Sequence, residues 1–252
     1  MRLSGNTVLI TGGTSGIGRE LAAQLLKRNN TVIITGRDGS KLEQAVGSLP
    51  GVHTFQSDVS DPKAIPLLFD GVIEEFPGLN VLINNAGIMR KINLLESAGD
   101  DVSREIETNL TGTVRMVTRF LPQLKTQEVA AIVNVSSGLA FVPLPMAPIY
   151  CATKAAVHSF TQSLRVQLKN TNIRVFELAP PMTRTSLFGE EFRTENMKGV
   201  RMMNVAKMVG EAIRGLERDR LEIRPGMSNV LQVMSRIAPR FALNRLSRAG
   251  GV

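Results

Sequence analysis

The chain has 252 residues, of which 43% are hydrophobic and 21% charged, a composition typical of one large folded domain. No segment approaches the roughly 18 uninterrupted apolar residues of a membrane-spanning helix, and a single cysteine excludes an internal disulfide and favours a reducing, cytoplasmic location. With no tryptophan, one tyrosine and no recognised binding motif, the sequence also argues against a nucleic-acid partner, although the net charge is +8.

Short apolar segments rich in β-branched residues alternate with segments of helical periodicity. The predicted strands are residues 7–11, 31–35, 52–56, 81–84, 131–136, 173–178 and 221–224. The helical patterns are clearest at residues 19–27, 103–124, 150–169 and 205–216. Continuous apolar strands that alternate with helices indicate a parallel sheet covered on both faces. The predicted fold class is α/β, a single doubly wound Rossmann-type domain over residues 1–252 with about seven strands and helices on both faces.

The first predicted strand runs into the sequence TGGTSGIG at residues 11–18 and then into a helix. Gly12, Gly16 and Gly18 permit a tight turn, and they let the backbone approach a pyrophosphate at the helix N-terminus, where free N–H groups favour anions. Glycine-rich turns also serve only to reverse the chain. The position between a strand and a helix favours the dinucleotide-binding interpretation.

The only tyrosine of the chain, Tyr150, precedes Lys154 by four residues in a helical segment. Side chains at this spacing share one face of a helix. A lysine ammonium beside a phenol favours the phenolate, so the pKa of Tyr150 is expected to fall from about 10 toward working pH. Tyr150 is therefore a candidate proton donor and acceptor. The alternative is a half-buried tyrosine beside a surface lysine.

From Thr7 to about Thr185, the order of these motifs resembles that of the short-chain dehydrogenase/reductases. The matches are TGGTSGIG at 11–18, Asp58-Val59, NNAG at 84–87, Asn109, Ser137, Tyr150 and Lys154. Ser137 precedes Tyr150 by thirteen residues, which is the spacing of that family. The segment 135–160 is most similar to one subgroup, the oxidoreductases associated with the D-alanyl-lipoteichoic-acid operon.

The resemblance implies hydride transfer between a nicotinamide and a carbonyl or alcohol carbon. It assigns Tyr150 as the group that protonates the forming alkoxide and Lys154 as the group that lowers the pKa of Tyr150 and holds the nicotinamide ribose. Ser137 would hydrogen-bond the substrate oxygen, where negative charge develops. Asn109 would hold a water that relays protons from Lys154 to solvent. Ser136 competes with Ser137, and the spacing favours Ser137.

The resemblance also implies a nicotinamide-dinucleotide site. Its expected positions are Gly12, Thr14, Ser15, Gly16, Ile17, Gly18, Arg37, Asp58, Val59, Asn85, Ala86, Gly87, Tyr150, Lys154, Pro180 and Thr185. An NAD-selective chain ends its second strand with an acid that binds the ribose 2′-hydroxyl, whereas this chain has Gly36 followed by Arg37. A guanidinium pairs with a 2′-phosphate, so NADP(H) is favoured over NAD(H). Asp38 next to it argues for NAD(H).

One departure from the family pattern follows the sixth predicted strand. The family usually has Pro-Gly there, whereas this chain has Pro180-Pro181. Because a second proline fixes φ and removes an N–H, the loop that cradles the nicotinamide carboxamide is expected to be stiffer. Thr185 matches the family threonine that binds this carboxamide, with Thr183 as an alternative.

Three other reactive side chains receive structural interpretations. Cys151 points about 100° around the helix from Tyr150, so we expect it to pack in the core. His53 and His158 share no metal-ligand spacing with carboxylates, and no metal site is predicted.

The substrate region is apolar. The loop after Ser137 reads GLAFVPLPMAP, and Met182, Met202 and Met203 lie in or near a predicted substrate lid at 186–203. Methionines at a flexible wall suit irregular apolar ligands, although core filling explains them equally well. The predicted substrate is a small, apolar carbonyl or alcohol compound.

Residues 226–252 form a basic amphipathic C-terminal tail, because residues 223–252 carry five arginines and no acid. The apolar stripe lies at 227, 230, 231, 234, 237, 238 and 241, and Pro239 is expected to kink or split it. Three interpretations compete: an intramolecular lid, a subunit contact in a homodimer or homotetramer, and a helix lying on an anionic membrane. The first two are favoured, because exposed apolar stripes usually find a protein partner.

The leading functional hypothesis is an NADP(H)-dependent carbonyl reductase or alcohol dehydrogenase. The rival is a dinucleotide-binding sensor or scaffold without turnover. Such a protein is expected to lack the tyrosine or the lysine, and this chain has both.

Overall fold

The computed structural model describes residues 1–95, 102–188, 192 and 202–250, and its strands form one parallel sheet. The strands are β1 (Thr7–Thr11), β2 (Thr31–Gly36), β3 (Val52–Gln56), β4 (Leu79–Asn84), β5 (Ala130–Val135), β6 (Ile173–Leu178) and β7 (Glu222–Ile223). Their spatial order is β3-β2-β1-β4-β5-β6-β7, and every neighbouring pair is parallel. The predicted fold class is confirmed.

Helices connect the strands and cover both faces of the sheet. They are α1 (Gly16–Leu26), α2 (Gly39–Ser48), α3 (Ala64–Glu75), α4 (Val102–Ile106), α5 (Gly112–Thr126), α6 (Pro148–Gln167), α7 (Val205–Glu217), α8 (Met227–Ile237) and α9 (Pro239–Gly250). A π-helical turn, Glu107–Thr111, joins α4 to α5, and a 3₁₀ turn, Gly138–Ala140, follows β5. In the described part of the chain, no helix is long and apolar enough to cross a membrane.

The two faces of the sheet bury separate apolar layers. In β1, Val8 and Ile10 belong to one buried cluster, which includes residues of α1 and α7. Leu9, between them, belongs to the other cluster, with residues of α3 and α5. Successive strand residues point to opposite faces, and here both faces are covered. This double burial explains why the strands read as continuous apolar segments.

The direction of winding reverses beside β1, because β2 and β3 lie on one side of it and β4 to β7 on the other. The connections after β1 and β4 therefore diverge from each other. In open parallel sheets such a reversal leaves a crevice at the carboxyl ends of the strands, where ligands bind.

The predicted break in the tail is confirmed at Pro239, which begins α9 directly after Ala238 ends α8. The predicted lid at 186–203 falls mostly on residues 189–191 and 193–201, which lie outside the described residues.

A buried carboxylate on β6 connects the end of β5 to α6. Glu177 is 2% exposed and accepts a hydrogen bond from the Ser136 hydroxyl, and its other oxygen lies 2.7 Å from Nδ1 of His158. His158 also contacts Phe141 edge-to-face, with ring centroids 5.1 Å apart. The hydrogen bond with Glu177 raises the pKa of His158 above its ordinary value. The Glu177–His158 pair thus contacts the segment that contains Ser137 at both of its ends, Ser136 and Phe141.

We predict that Glu177→Gln lowers the melting temperature most at acidic pH. Because the folded-state pKa of His158 is raised, the stabilisation from the charged pair is fully present below about pH 6.5, the ordinary histidine value, and is lost as the pH rises through the raised pKa. Thermal melts of the wild type and the variant between acidic and alkaline pH measure this difference, which should narrow with rising pH. A gap independent of pH would contradict a charged pair.

Candidate active site

A cavity of about 880 Å³ opens at the carboxyl ends of the strands. All the predicted cofactor-binding positions except Gly18 line it, and so does Ser137. Gly18 and Asn109 lie beside the cavity and not in its lining. The fold therefore brings together side chains that are spread along the sequence from Gly12 to Thr185.

The glycine turn after β1 is shaped for close backbone approach. Gly12 has φ +64°, and a Cβ there would lie 2.8 Å from the Ala86 Cα atom. A Cβ on Gly18 would lie 2.4 Å from the Gly12 carbonyl oxygen, so this glycine serves packing beneath the turn. Ser15, the N-cap of α1, makes no side-chain capping bond. The first N–H groups of α1 therefore suit an anion such as a pyrophosphate.

The segment after β4 fixes this turn in place. The Asn85 side-chain amide donates to the Thr11 carbonyl at 2.9 Å and to the Gly12 carbonyl at 3.0 Å. The Thr11 hydroxyl accepts from the backbone N–H groups of Asn85 and Ala86, both at 3.0 Å. The side chain of Asn85 thus supports the glycine turn, and Asn85 also lines the cavity.

The loop after β3 contributes a side chain that the sequence analysis missed. The Ser57 hydroxyl is buried, lines the cavity and has no hydrogen-bond partner among the described residues. A bound polar group would supply the partner that this hydroxyl lacks. Asp58, which the sequence did identify, accepts from the Ser60 N–H at 2.9 Å and from its hydroxyl at 2.7 Å.

At the end of β2, the neighbouring acid is already engaged. Asp38 is the N-cap of α2 and accepts from the Lys41 N–H at 3.2 Å and from the Ser40 hydroxyl at 2.7 Å. The Ser40 hydrogen bond lowers the pKa of Asp38 from its ordinary value. A Cβ at Gly36 would lie 2.9 Å from the Thr14 Cγ2 atom, so an acid there would require the Thr14 side chain to shift. Arg37 lines the cavity.

Tyr150 and Lys154 share one face of α6, as predicted, and are 5% and 4% exposed. The Lys154 ammonium donates to the Val135 carbonyl at 2.8 Å and lies 5.8 Å from the centroid of the Tyr150 ring. The Ser137 hydroxyl hydrogen-bonds the phenol and also accepts from the Leu139 N–H at 3.1 Å. All three side chains line the cavity.

The expected fall in the pKa of Tyr150 is wrong for the ligand-free protein. Burial raises it from 10.0 to about 12, and the hydrogen bond to Ser137 offsets only part of this rise. Burial also lowers the pKa of Lys154 from 10.5 to about 8. The reason is that each charged form loses its hydration, and this outweighs the attraction between an ammonium and a phenolate. At neutral pH Tyr150 is a protonated phenol and is suited to donate a proton.

Asn109 lies in the π-helical turn and is fully buried. Its side-chain amide donates to the Ile88 carbonyl at 2.9 Å and to the Thr153 hydroxyl at 3.1 Å, and its oxygen accepts from the Ile88 N–H at 2.8 Å. A Cβ on Gly87 would lie 3.3 Å from this oxygen and 3.5 Å from the Lys154 ammonium. Asn109 therefore holds the segment after β4 next to Lys154.

The sequence left two pairs of alternatives, Ser136 or Ser137 and Thr183 or Thr185, and the members of each pair differ in their surroundings. Ser136 is bonded to Glu177, which leaves Ser137 as the serine that faces Tyr150. The Thr183 hydroxyl donates to the Pro181 carbonyl at 2.8 Å and is buried.

Thr185 lies directly against the glycine turn, because a Cβ on Gly16 would be 3.2 Å from the Thr185 Cβ atom. Unlike the hydroxyl of Thr183, the side chain of Thr185 is only partly buried. Pro180 and Pro181 line the same part of the cavity, and the Pro180 carbonyl accepts from the Gly138 N–H at 2.8 Å.

Apolar side chains form much of the rest of the cavity wall, which also includes Arg184, Lys207 and Glu211. Met182, Met202 and Met203 line it together, as the sequence predicted. The tail also contributes, through Met227, Leu231 and Leu246. Leu139 belongs to the apolar loop after Ser137, and Leu187 and Phe188 belong to the predicted lid, whereas the sequence analysis missed Ile88 and Met89. The tail is thus part of the cavity wall, in agreement with the lid interpretation.

Cys151 is buried, and its sulfur accepts from the Leu144 N–H at 3.2 Å. Burial raises the pKa of this thiol to about 11, so it is protonated and packs in the core, as predicted. Among the residues that the structure describes, no three histidine, cysteine or acidic side chains are grouped to hold a metal ion.

Comparisons with known proteins agree with this geometry. The family model described as short chain dehydrogenase matches residues 6–196. The uncharacterized oxidoreductase DltE of Bacillus subtilis is 44% identical over 229 residues, which cover 88% of this chain and 89% of that protein. The NADP-dependent 3-hydroxy acid dehydrogenase of Schizosaccharomyces pombe is 32% identical over 78% of this chain and 79% of that protein.

Among solved structures, a short chain dehydrogenase from Burkholderia cenocepacia in complex with NADP has a TM-score of 0.84 and 26% sequence identity. The match covers 98% of this chain and 99% of that chain. The ordered site residues, the sheet order and these matches agree on one conclusion: the chain belongs to the short-chain dehydrogenase family and is an oxidoreductase of that family.

Proposed function

We propose that this protein is an NADP(H)-dependent oxidoreductase that moves a hydride between nicotinamide and the carbonyl or alcohol carbon of a small apolar compound. The observation that carries the proposal is the position of the Ser137–Tyr150–Lys154 group, which faces the same cavity as the glycine turn. A dinucleotide on that turn and a carbonyl at the phenol would share one cavity.

When bound, the nicotinamide supplies the hydride for reduction or accepts it in oxidation. Tyr150, protonated in its buried position, donates its proton to the substrate oxygen as the alcohol forms. Ser137 hydrogen-bonds the same oxygen and stabilises its developing negative charge. Lys154 is held beside the phenol through the Val135 carbonyl, and its ammonium favours the phenolate that proton donation leaves.

Other residues hold the cofactor. The first N–H groups of α1 would bind the pyrophosphate, and Arg37 would pair with the 2′-phosphate. Lys154 would hold the nicotinamide ribose, and Pro180 and Thr185 would hold the carboxamide. The relay of protons from Lys154 through a water at Asn109 stays a prediction.

Three observations support NADP(H) over NAD(H). Arg37 lines the cavity, Asp38 is engaged as a helix cap, and Gly36 stands where an NAD-selective strand has its acid. The Schizosaccharomyces pombe relative is named as NADP-dependent, and the Burkholderia cenocepacia structure contains NADP.

The apolar wall supports an apolar substrate. Methionine side chains from two segments and three residues of the tail line the same cavity as Tyr150. A cytoplasmic location and a homodimer or homotetramer stay predictions from the sequence. The rival hypothesis, a sensor without turnover, is disfavoured by the assembled Ser137–Tyr150–Lys154 group.

We predict that Arg37→Ala weakens NADPH binding about ten- to hundredfold and leaves NADH binding unchanged, because one charge-assisted hydrogen bond contributes roughly 1.5–3 kcal/mol. Fluorescence titration of both cofactors measures this. Lys125→Ala, at the end of α5 and outside the cavity lining, is the charge-matched control. Equal affinity of the wild type for both cofactors would contradict the assignment of NADP(H).

We predict that Tyr150→Phe lowers turnover by about 10²- to 10⁴-fold, the usual contribution of general acid–base catalysis, while NADPH affinity stays within about twofold. Only the phenolic proton is lost in this variant. A panel of apolar aldehydes and ketones, followed by NADPH consumption, identifies a substrate for the assay. Wild-type protein that binds NADPH but consumes none with any carbonyl compound would favour the sensor. A variant that keeps most of its rate would overturn the role of Tyr150.

We predict that Lys154→Met abolishes turnover yet raises the melting temperature. Burial lowers the folded-state pKa of Lys154 to about 8, below its ordinary value, so the charged lysine destabilises the fold most below pH 8, and this cost fades as the pH rises toward the unfolded value of about 10.4. The gain should be at least about 2–4 °C at neutral pH, the shift that 1 kcal/mol produces in a chain of this size. Melts across this pH range test it, and a destabilised variant at neutral pH would refute it.

A further inference from the structure

The tail carries large apolar side chains on its surface as well as against the cavity. On α8, Val230, Val233 and Ile237 are exposed, with Ile237 at 77%. Their spacing of three and four residues places them on one face of the helix. On α9, Phe241 is 63% exposed. These side chains are too large and too grouped to be ordinary scattered surface residues.

The exposed face of α8 is not the face that holds it to the protein. Ser228 is fully buried, and a Cβ on Gly138 would lie 2.7 Å from its hydroxyl oxygen and 3.3 Å from the Leu231 Cδ1 atom. α8 therefore packs on the 3₁₀ turn through a serine and one leucine. The β-branched residues at 230, 233 and 237 remain in solvent.

Arginines accompany the exposed apolar residues. We define the tail surface as the exposed side chains Val230, Val233, Arg236, Ile237, Arg240, Phe241, Arg245 and Arg248. On α9, Phe241 precedes Arg245 by four residues and Arg248 by seven, so these three share one face of the helix. No acidic residue follows Glu222 in the chain. The tail surface thus combines apolar side chains with arginines, and all of its charges are positive.

We propose that the tail surface docks onto an anionic lipid membrane. Such a surface buries the apolar side chains at the boundary of headgroups and acyl chains while the arginines meet lipid phosphates. A second copy of this chain, placed face to face, would bring like charges together at the contact. A nucleic acid would pair with the arginines but would leave Ile237 and Phe241 in water.

The proposal does not depend on the oxidoreductase function, because binding alone tests it. Full-length protein is mixed with sucrose-loaded vesicles of phosphatidylcholine alone, or of equal parts phosphatidylcholine and phosphatidylglycerol, at about 0.15 M salt, and sedimented. We expect sedimentation with the anionic vesicles only, and release at about 1 M salt.

Two double variants separate the apolar and the charged contributions. Arg240→Gln with Arg245→Gln should lower the vesicle partition coefficient about fivefold per arginine. Its matched control, Lys125→Gln with Lys169→Gln, removes two exposed charges outside the tail and should bind within about twofold of the wild type. Ile237→Gln with Phe241→Gln should lower partition at least tenfold, whereas Leu67→Gln, which changes an exposed leucine of α3, should not.

Light scattering without vesicles, and thermal melts of every variant, complete the design. All seven altered tail and control positions are exposed, so melting temperatures and oligomeric mass should match the wild type. Loss of an oligomer in the Ile237/Phe241 variant would show that a second copy covers the tail surface and would overturn the proposal. Binding that depends on the arginines but not on Ile237 and Phe241 would show a general polyanion site and would also overturn it. The proposal would also be overturned if the wild type did not sediment with the anionic vesicles.

Discussion

The site depends on the reversal of winding between β1 and β4 at the centre of a parallel sheet. Because the connections after these two strands diverge, the carboxyl edge of the sheet is open there, and a glycine turn, a helix N-terminus and the segment after β4 can meet. Buried apolar layers on both faces fix the strands, so the open edge is rigid. The hydrogen bonds of Asn85 and Thr11 then set the turn against the neighbouring strand.

The chemistry of the site follows from burial. Tyr150 and Lys154 are buried where neither charged form is well hydrated. Burial therefore raises the pKa of Tyr150 and lowers that of Lys154, so each shift favours the neutral form of the side chain. A neutral phenol is the form that a carbonyl reductase needs before hydride transfer, because it must donate a proton. The buried lysine costs stability in exchange, as is common for functional residues held in an unfavourable environment.

The C-terminal tail serves two environments at once. Its inner residues Met227, Leu231 and Leu246 complete an apolar cavity wall, while its outer residues present apolar and basic groups to solvent. Splitting at Pro239 lets α8 and α9 pack independently on the domain. If the outer surface meets a membrane, as we propose, the wall of the substrate cavity and the docking element are parts of the same two helices.

Much of this could be predicted from the sequence because the deciding signals are local. Apolar strands, the glycine turn and the Tyr150–Lys154 spacing each report backbone geometry within a few residues, so they predicted the fold class and these parts of the cavity lining, and the family resemblance supplied the other predicted positions. No range was assigned to α2 or α3, although both lie in connections between strands where the predicted fold expects helices.

Only the tertiary structure decided which hydrogen-bond partners the site residues have and how far each side chain is removed from solvent. Sequence spacing predicted the shared face of Tyr150 and Lys154 but gave the wrong direction for the pKa of Tyr150, because hydration depends on atoms that other segments, such as β5, bring against α6. The unpartnered Ser57 hydroxyl, the Glu177–His158 pair and the engagement of Asp38 likewise depend on which groups fold against them. The sequence by itself determined the shared helix face of Tyr150 and Lys154, and the packing of distant segments decided their pKa values, because desolvation is a property of the assembled fold.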